Sequence, residues 1–197
     1  MPDLTAFLGA REPAISQSAA PGAVSVGGTP LAVPGHLATY YSADASAIRL
    51  SAPFLADGLR AGQPCFLVAA GITLERYKAS LTQEEGFDLN AGPLNVVRFE
   101  GGSADDAIER WAGLLGQTLA KGPTVIRIVG EMASERTMLR SEDEMLRYEE
   151  AFDVMCRRYS VVVLCQYDVR EFSGSVILRS LKAHPDLFDF RLGTVLN

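Results

Sequence analysis

Thr124-Val125-Ile126-Arg127-Ile128-Val129 is a β-branched run broken by a single charge and closed by Gly130. It is too short for an ordinary helix, and its composition suits a strand buried on both faces. Such strands belong to mostly parallel sheets, whose crossover connections lay helices over both surfaces. The neighbouring sequence repeats the pattern. Cys65-Phe66-Leu67-Val68-Ala69-Ala70 reads as another buried strand, ending at Gly71, and further strands are expected at 36–41, 94–99 and 161–165. A short last strand is expected near 188–192.

Helical periodicity fills the gaps. Ile48, Ala52, Leu55 and Leu59 mark one face of a helix at 47–61, in which Pro53 either causes a kink or leaves Ser51 to cap a second start. A helix is expected at 73–81. Ser103, with Asp106 three residues on, opens a helix carrying Ile108, Trp111, Leu115 and Leu119. Ser141 and Glu144 form a capping box for a helix that buries Met145, Tyr148, Phe152, Met155 and Tyr159, with Glu149 and Glu150 read as solvated. Ser173 caps a helix through Val176, Ile177 and Leu181 that stops at His184-Pro185. This alternation predicts an α/β three-layer sandwich around a mostly parallel central sheet.

Residues 1–35 differ in texture. They are rich in Ala, Pro, Gly and Ser and read as a flexible arm, with Leu4, Phe7 and Leu8 able to dock as one helical turn. The domain proper is then 36–197. At 197 residues, 48% of them hydrophobic, the chain suits a single domain. Its net charge of -6, with no run of Lys and Arg, argues against nucleic acid as a direct partner. The three cysteines form no CxxC pair, which fits a reducing compartment better than a disulfide framework or a zinc site. With neither a signal-peptide pattern nor a membrane-spanning run, a cytoplasmic location is expected.

Ligands of open parallel sheets bind beyond the carboxyl ends of the strands. Those exits carry Tyr41-Ser42-Ala43-Asp44, Ala70-Gly71, Glu100-Gly101-Gly102, Gly130-Glu131-Met132 and Cys165-Gln166-Tyr167-Asp168. The candidate ligand contacts are therefore Tyr41, Asp44, Glu131, Met132, Cys165, Tyr167 and Asp168. Neither GxxxxGK[ST] nor GxGxxG occurs, so ATP hydrolysis and a dinucleotide site are not expected. Cys165 reads either as a ligand contact or redox-responsive thiol, or as a buried small hydrophobe. Glu131 reads as a ligand acceptor or general base, or as a loop cap or partner of Arg127 or Arg136. Asp168 has Arg170 beside it, and His184 is placed to bond the last carbonyls of its helix. His36 opens its strand, roughly 16 Å from that strand's exit at about 3.3 Å per residue. A metal shared by His36 and Cys165 is therefore not expected, nor is any cofactor. No nucleophile–base set is recognisable, so no catalytic residue is assigned.

The pieces His36-Leu37-Ala38-Thr39-Tyr40-Tyr41, Ala52-Pro53-Phe54-Leu55-Ala56-Asp57-Gly58-Leu59-Arg60-Ala61-Gly62, Val129-Gly130-Glu131-Met132, Tyr148-Glu149, Cys165-Gln166-Tyr167-Asp168 and His184-Pro185 together resemble the MEDS family of sensory domains. The resemblance covers 36–197 and implies a RecA-like sandwich that has lost its phosphate-binding loop. It also implies a regulatory module, of a kind often fused to kinase or DNA-binding domains, that senses simple hydrocarbon derivatives. The family's histidine and cysteine, suggested as ligand contacts, correspond here to His36 and Cys165. The family's acidic loop after the first strand is thinned to Ser42-Ala43-Asp44, so ligand identity does not carry over. Because sensor and arm account for the length, the output is expected in a separate protein, a kinase or transcription regulator. The function expected is a non-catalytic sensor of a small organic molecule. A degenerate RecA-like scaffold working only through protein contacts, with homo-oligomerisation left open, is the alternative. An enzyme using Glu131 or Cys165 is the weakest reading.

Overall fold

The computed structural model describes residues 24–89, 94–99 and 102–186. Five strands form one parallel sheet: β3 (Gly35–Tyr41), β4 (Cys65–Val68), β5 (Leu94–Val96), β6 (Ile126–Glu131) and β7 (Val161–Asp168), in the order β3-β7-β6-β4-β5. The three central strands, β7, β6 and β4, are buried along their whole length, as their apolar runs require.

Helices α1 (Asp44–Arg60) and α2 (Gly71–Gln83) cover one face. The other carries α3 (Ala104–Leu119), α4 (Met132–Met138), α5 (Glu142–Cys156) and α6 (Gly174–Ala183). The only tryptophan of the chain, Trp111, is fully buried there between Phe66, Phe99 and Phe152 and donates to Tyr148. The two faces follow from strand alternation. On β7, Val163, Cys165 and Tyr167 face α5 and α6, whereas Gln166 on the opposite side bonds into α1 and α2 through Ala47, Ser51 and Tyr77.

Several expectations are corrected. The arm assigned to 1–35 is structured in its second part. Val24–Val26 (β1) and Thr29–Leu31 (β2) form an antiparallel hairpin with Val24 and Val26 buried. Gly27 and Gly28 supply the positive φ angles, 53° and 78°, that a two-residue hairpin turn demands. Residues 1–23 and the strand expected at 188–192 lie outside the described residues. Pro53 neither ends nor restarts α1, and Ser51 is no cap: its hydroxyl donates back to the Ala47 carbonyl. The seven-residue α4, absent from the sequence reading, follows β6 directly. Finally, β7 runs three residues past its expected end at Cys165, to Asp168. Gln166, read as the start of a loop, is a buried strand residue whose amide bonds the Ala47 carbonyl and the Ser51 hydroxyl.

Candidate functional site

The expected site residues fall into two groups. At the strand exits, Glu131 spends its carboxylate as the N-cap of α4, accepting from the Ala133 and Ser134 amides at 3.1 and 2.8 Å and from the Ser134 hydroxyl at 2.5 Å. Tyr41 donates to the same carboxylate at 3.3 Å, and burial, with Glu131 next in effect, raises its pKa. Met132 is fully buried beneath the turn. Asp168 accepts from the Arg170 guanidinium at 2.8, 3.2 and 2.5 Å. Asp44 opens α1, but its side chain is outside those described, as are Glu100 and Gly101. The structural alternatives for Glu131 and Asp168, a cap and an arginine pair, are thus what the fold uses.

The second group lies inside the sheet's α5–α6 face. Ala38 pairs with Cys165 and His36 with Val163, so Cys165 sits only two residues along from the level of His36. The side chains converge, with His36 Nε2 3.3 Å from Cys165 Sγ. This overturns the separation inferred from sequence. That estimate measured His36 against the strand exit, where Cys165 does not lie. Three further residues complete the group. Glu149, expected in solvent, is buried with Oε1 3.8 Å from Cys165 Sγ and Oε2 accepting from the Tyr167 hydroxyl at 3.1 Å. His184 Nδ1 bonds the Ser180 carbonyl at 2.7 Å, as its place at the helix end predicts, and Nε2 reaches within 3.0 Å of Glu149 Oε2. Its ring packs 4.1 Å from that of His36. Glu135 of α4 occupies the space over Gly130, where a Cβ would stand 2.3 Å from its Oε1.

Burial governs the charges here. It pushes the Cys165 thiol well up, with Glu149 and Glu135 adding to the effect, so the thiol is protonated and unsuited to redox sensing on its own. Burial also lowers the pKa of His36, and the neighbouring His184 lowers it further, against the pull of Asp153 and Glu149. Glu135 is pushed well up by burial and by the like charges of Glu149 and Glu131. Burial opposes ionisation of Glu149 too, yet the adjoining His184 and His36 outweigh it and hold its pKa low.

An outer cleft of about 670 Å³ between α1 and α2, lined by Ile48, Arg49, Pro53, Arg76 and Ser80, contains none of the expected site residues. No helix among the described residues is long and apolar enough to cross a membrane.

A parallel sheet of this order, clad on both faces, makes the chain a RecA-like α/β sandwich. It is similar to the flagellar accessory protein FlaH of Methanocaldococcus jannaschii, with a TM-score of 0.55 and 13% identity over 80% of this chain and 71% of that one. A KaiC-like protein of Pyrococcus horikoshii OT3 gives 0.54 and 13% over 81% and 71%. Residues 35–185 match the family described as MEthanogen/methylotroph, DcmR Sensory domain, and the chain belongs to this MEDS family. The transcriptional repressor DcmR of Methylorubrum extorquens (strain DSM 6343 / CIP 106787 / DM4) is 29% identical over 171 residues, 85% of this chain. The chain spans 64% of that repressor's length. Family and relative together support a sensory, regulatory role.

Proposed function

We propose that this domain is a non-catalytic sensor of a small organic molecule, read on the interior face formed by His36, Cys165 and Tyr167 under α5 and α6. It passes the signal to a separate regulatory protein. The observation carrying this reading is a concentration of unsatisfied polarity. Of four buried side-chain atoms that make no well-formed hydrogen bond among the described residues, three lie on this face: Glu135 Oε2, and His36 Nδ1 and His184 Nε2, which only approach the carboxylates of Asp153 and Glu149 at 3.4 and 3.0 Å. An orphaned buried polar atom costs about 1–3 kcal/mol, and native folds rarely gather several in one place without use. A simple hydrocarbon derivative with a polar end suits a face whose neighbouring side chains, Phe152, Tyr40 and Tyr148, are aromatic. Tyr41, Asp44, Glu131, Met132 and Asp168 stand at the strand-exit rim. Tyr41 and Glu131 bond each other there and Asp168 bonds Arg170, so we assign the first ligand contacts to the interior residues instead. The reading is non-catalytic because the family and the related repressor are regulatory, and because burial pushes the Cys165 thiol well up although His36 Nε2 lies 3.3 Å from it.

Thermal unfolding against short alcohols, halomethanes, amines, flavins and nucleotides tests the proposal. A ligand at about 100 times its dissociation constant adds about 2.7 kcal/mol, which shifts the midpoint by several degrees. A selective shift that disappears in a folded Cys165→Ala variant is expected. Silence across the panel would remove the ligand and leave only a protein-contact scaffold.

A further inference from the structure

We propose that His36, Glu149, Cys165 and His184 form a binding site for a single divalent ion of the zinc class, held by two nitrogens, one sulfur and one oxygen. The four residues come from β3, α5, β7 and the end of α6, all are buried, and one ligand atom from each lies within 4.8 Å of the others. A tetrahedral ion with bonds of about 2.0–2.3 Å sets its donors about 3.3–3.6 Å apart. Two observed spacings straddle that range, 3.3 Å from His36 Nε2 to Cys165 Sγ and 3.8 Å from Cys165 Sγ to Glu149 Oε1, while His184 Nε2 approaches the other oxygen of the same carboxylate at 3.0 Å.

The groups that orient these ligands are also in place. Histidines that bind metals give their other ring nitrogen to a carbonyl or carboxylate, which fixes tautomer and orientation. His184 does so with the Ser180 carbonyl at 2.7 Å, leaving Nε2 as the free donor. That Nε2 lies 3.0 Å from Glu149 Oε2, inside the cluster. His36 turns Nδ1 toward Asp153 Oδ1 at 3.4 Å, and Asp153 is itself steadied by Arg157 at 2.6 Å. The Tyr167 hydroxyl occupies one oxygen of Glu149, directing the other at Cys165.

The donor set selects the ion. A thiolate with imidazoles favours zinc and its borderline neighbours over calcium or magnesium, which take oxygen. Four protein donors leave no open position, the pattern of structural zinc. A second grouping, His36, Asp153 and Cys156, offers only three donors, and its carboxylate is already paired with Arg157. The ion would fasten α5 and the end of α6 to the sheet.

The inference shares its location with the proposed ligand site but not its premise, because ion uptake is independent of any organic molecule. Cobalt(II) is the probe, added as the full-length chain refolds from denaturant after chelation. One equivalent per chain should be taken up with the intense visible bands of tetrahedral cobalt and a sulfur-to-cobalt band in the near ultraviolet. Zinc should displace it. Cys165→Ser should lose the sulfur band while Cys156→Ser keeps it, and Asp153→Asn should weaken affinity by about 10–100-fold. Failure of the folded wild-type chain to take up stoichiometric cobalt, or a six-coordinate spectrum lacking the sulfur band, overturns the proposal without recourse to any variant. Loss of the band in Cys156→Ser but not in Cys165→Ser overturns the ligand assignment. Uptake with a silent organic panel leaves the ion and removes the ligand, and the converse result does the opposite.

Discussion

Glu131 and Gly58 show how single positions are committed to the fold. A glutamate is an unusual N-cap, yet the Glu131 carboxylate answers two amides and a hydroxyl at the start of α4. Glu131→Ala should therefore cost about 1–2 kcal/mol in urea unfolding. It should also leave ligand response largely intact; selective loss of response with full stability would return Glu131 to the binding site. Gly58 lies where a Cβ would meet Arg127 Cδ at 2.6 Å and Cys65 Sγ at 2.7 Å. Arg127 has little room to yield, being buried and bonded to Gln63 and the Phe54 carbonyl at 2.7 and 2.8 Å. Gly58→Ala should destabilise by about 1–3 kcal/mol despite alanine's better helix propensity. An unchanged urea midpoint would show that this packing is looser than the distances imply.

Among the elements, the helix starts were the most legible parts of the sequence. Ser103 and Asp106 form the expected reciprocal box. Ser141 caps α5 through the Glu144 amide, but the Glu144 carboxylate crosses to the Ala104 amide at 2.8 Å and ties α5 to α3. Bonds from Ser103 lower the pKa of Asp106 below its ordinary 3.8, and the Ala104 amide lowers that of Glu144 below 4.5. Because the folded values lie below the unfolded ones, this stabilisation is fully present above those ordinary values. It is lost as pH falls through the lowered ones. The urea midpoint should accordingly fall more steeply below about pH 4 in the wild type than in a Ser103→Ala, Glu144→Gln double variant. Parallel curves would contradict the assignment. What the sequence hid has equally physical causes. Gln166 looked like a loop because its partners, Ala47, Ser51 and Tyr77, are remote in the chain. Ending β7 there put Cys165 at the exit. Glu149 looked solvated because isolated carboxylates rarely enter cores, and only the tertiary approach of His184 makes its burial tolerable.

For the whole molecule, the parallel sheet was readable from its apolar runs, while the site was not. Its residues come from four elements, and sheet register brings them together. The resulting asymmetry has a dynamic consequence. The α1–α2 face is tied by the bonds around Gln166, whereas the α5–α6 face holds three of the four buried side-chain atoms that make no hydrogen bond among the described residues, Thr39 Oγ1 being the fourth. If ligand biases two conformations, the layer that responds is the one over His36 and Cys165. Native-state amide exchange tests this most directly, comparing free protein with protein saturated by whichever panel compound stabilises it. The account predicts slowed exchange in α6 and the second half of α5, with α1 and α2 unchanged. Protection confined to α4 and the strand exits, or spread over α1 and α2, would contradict an interior site on this face.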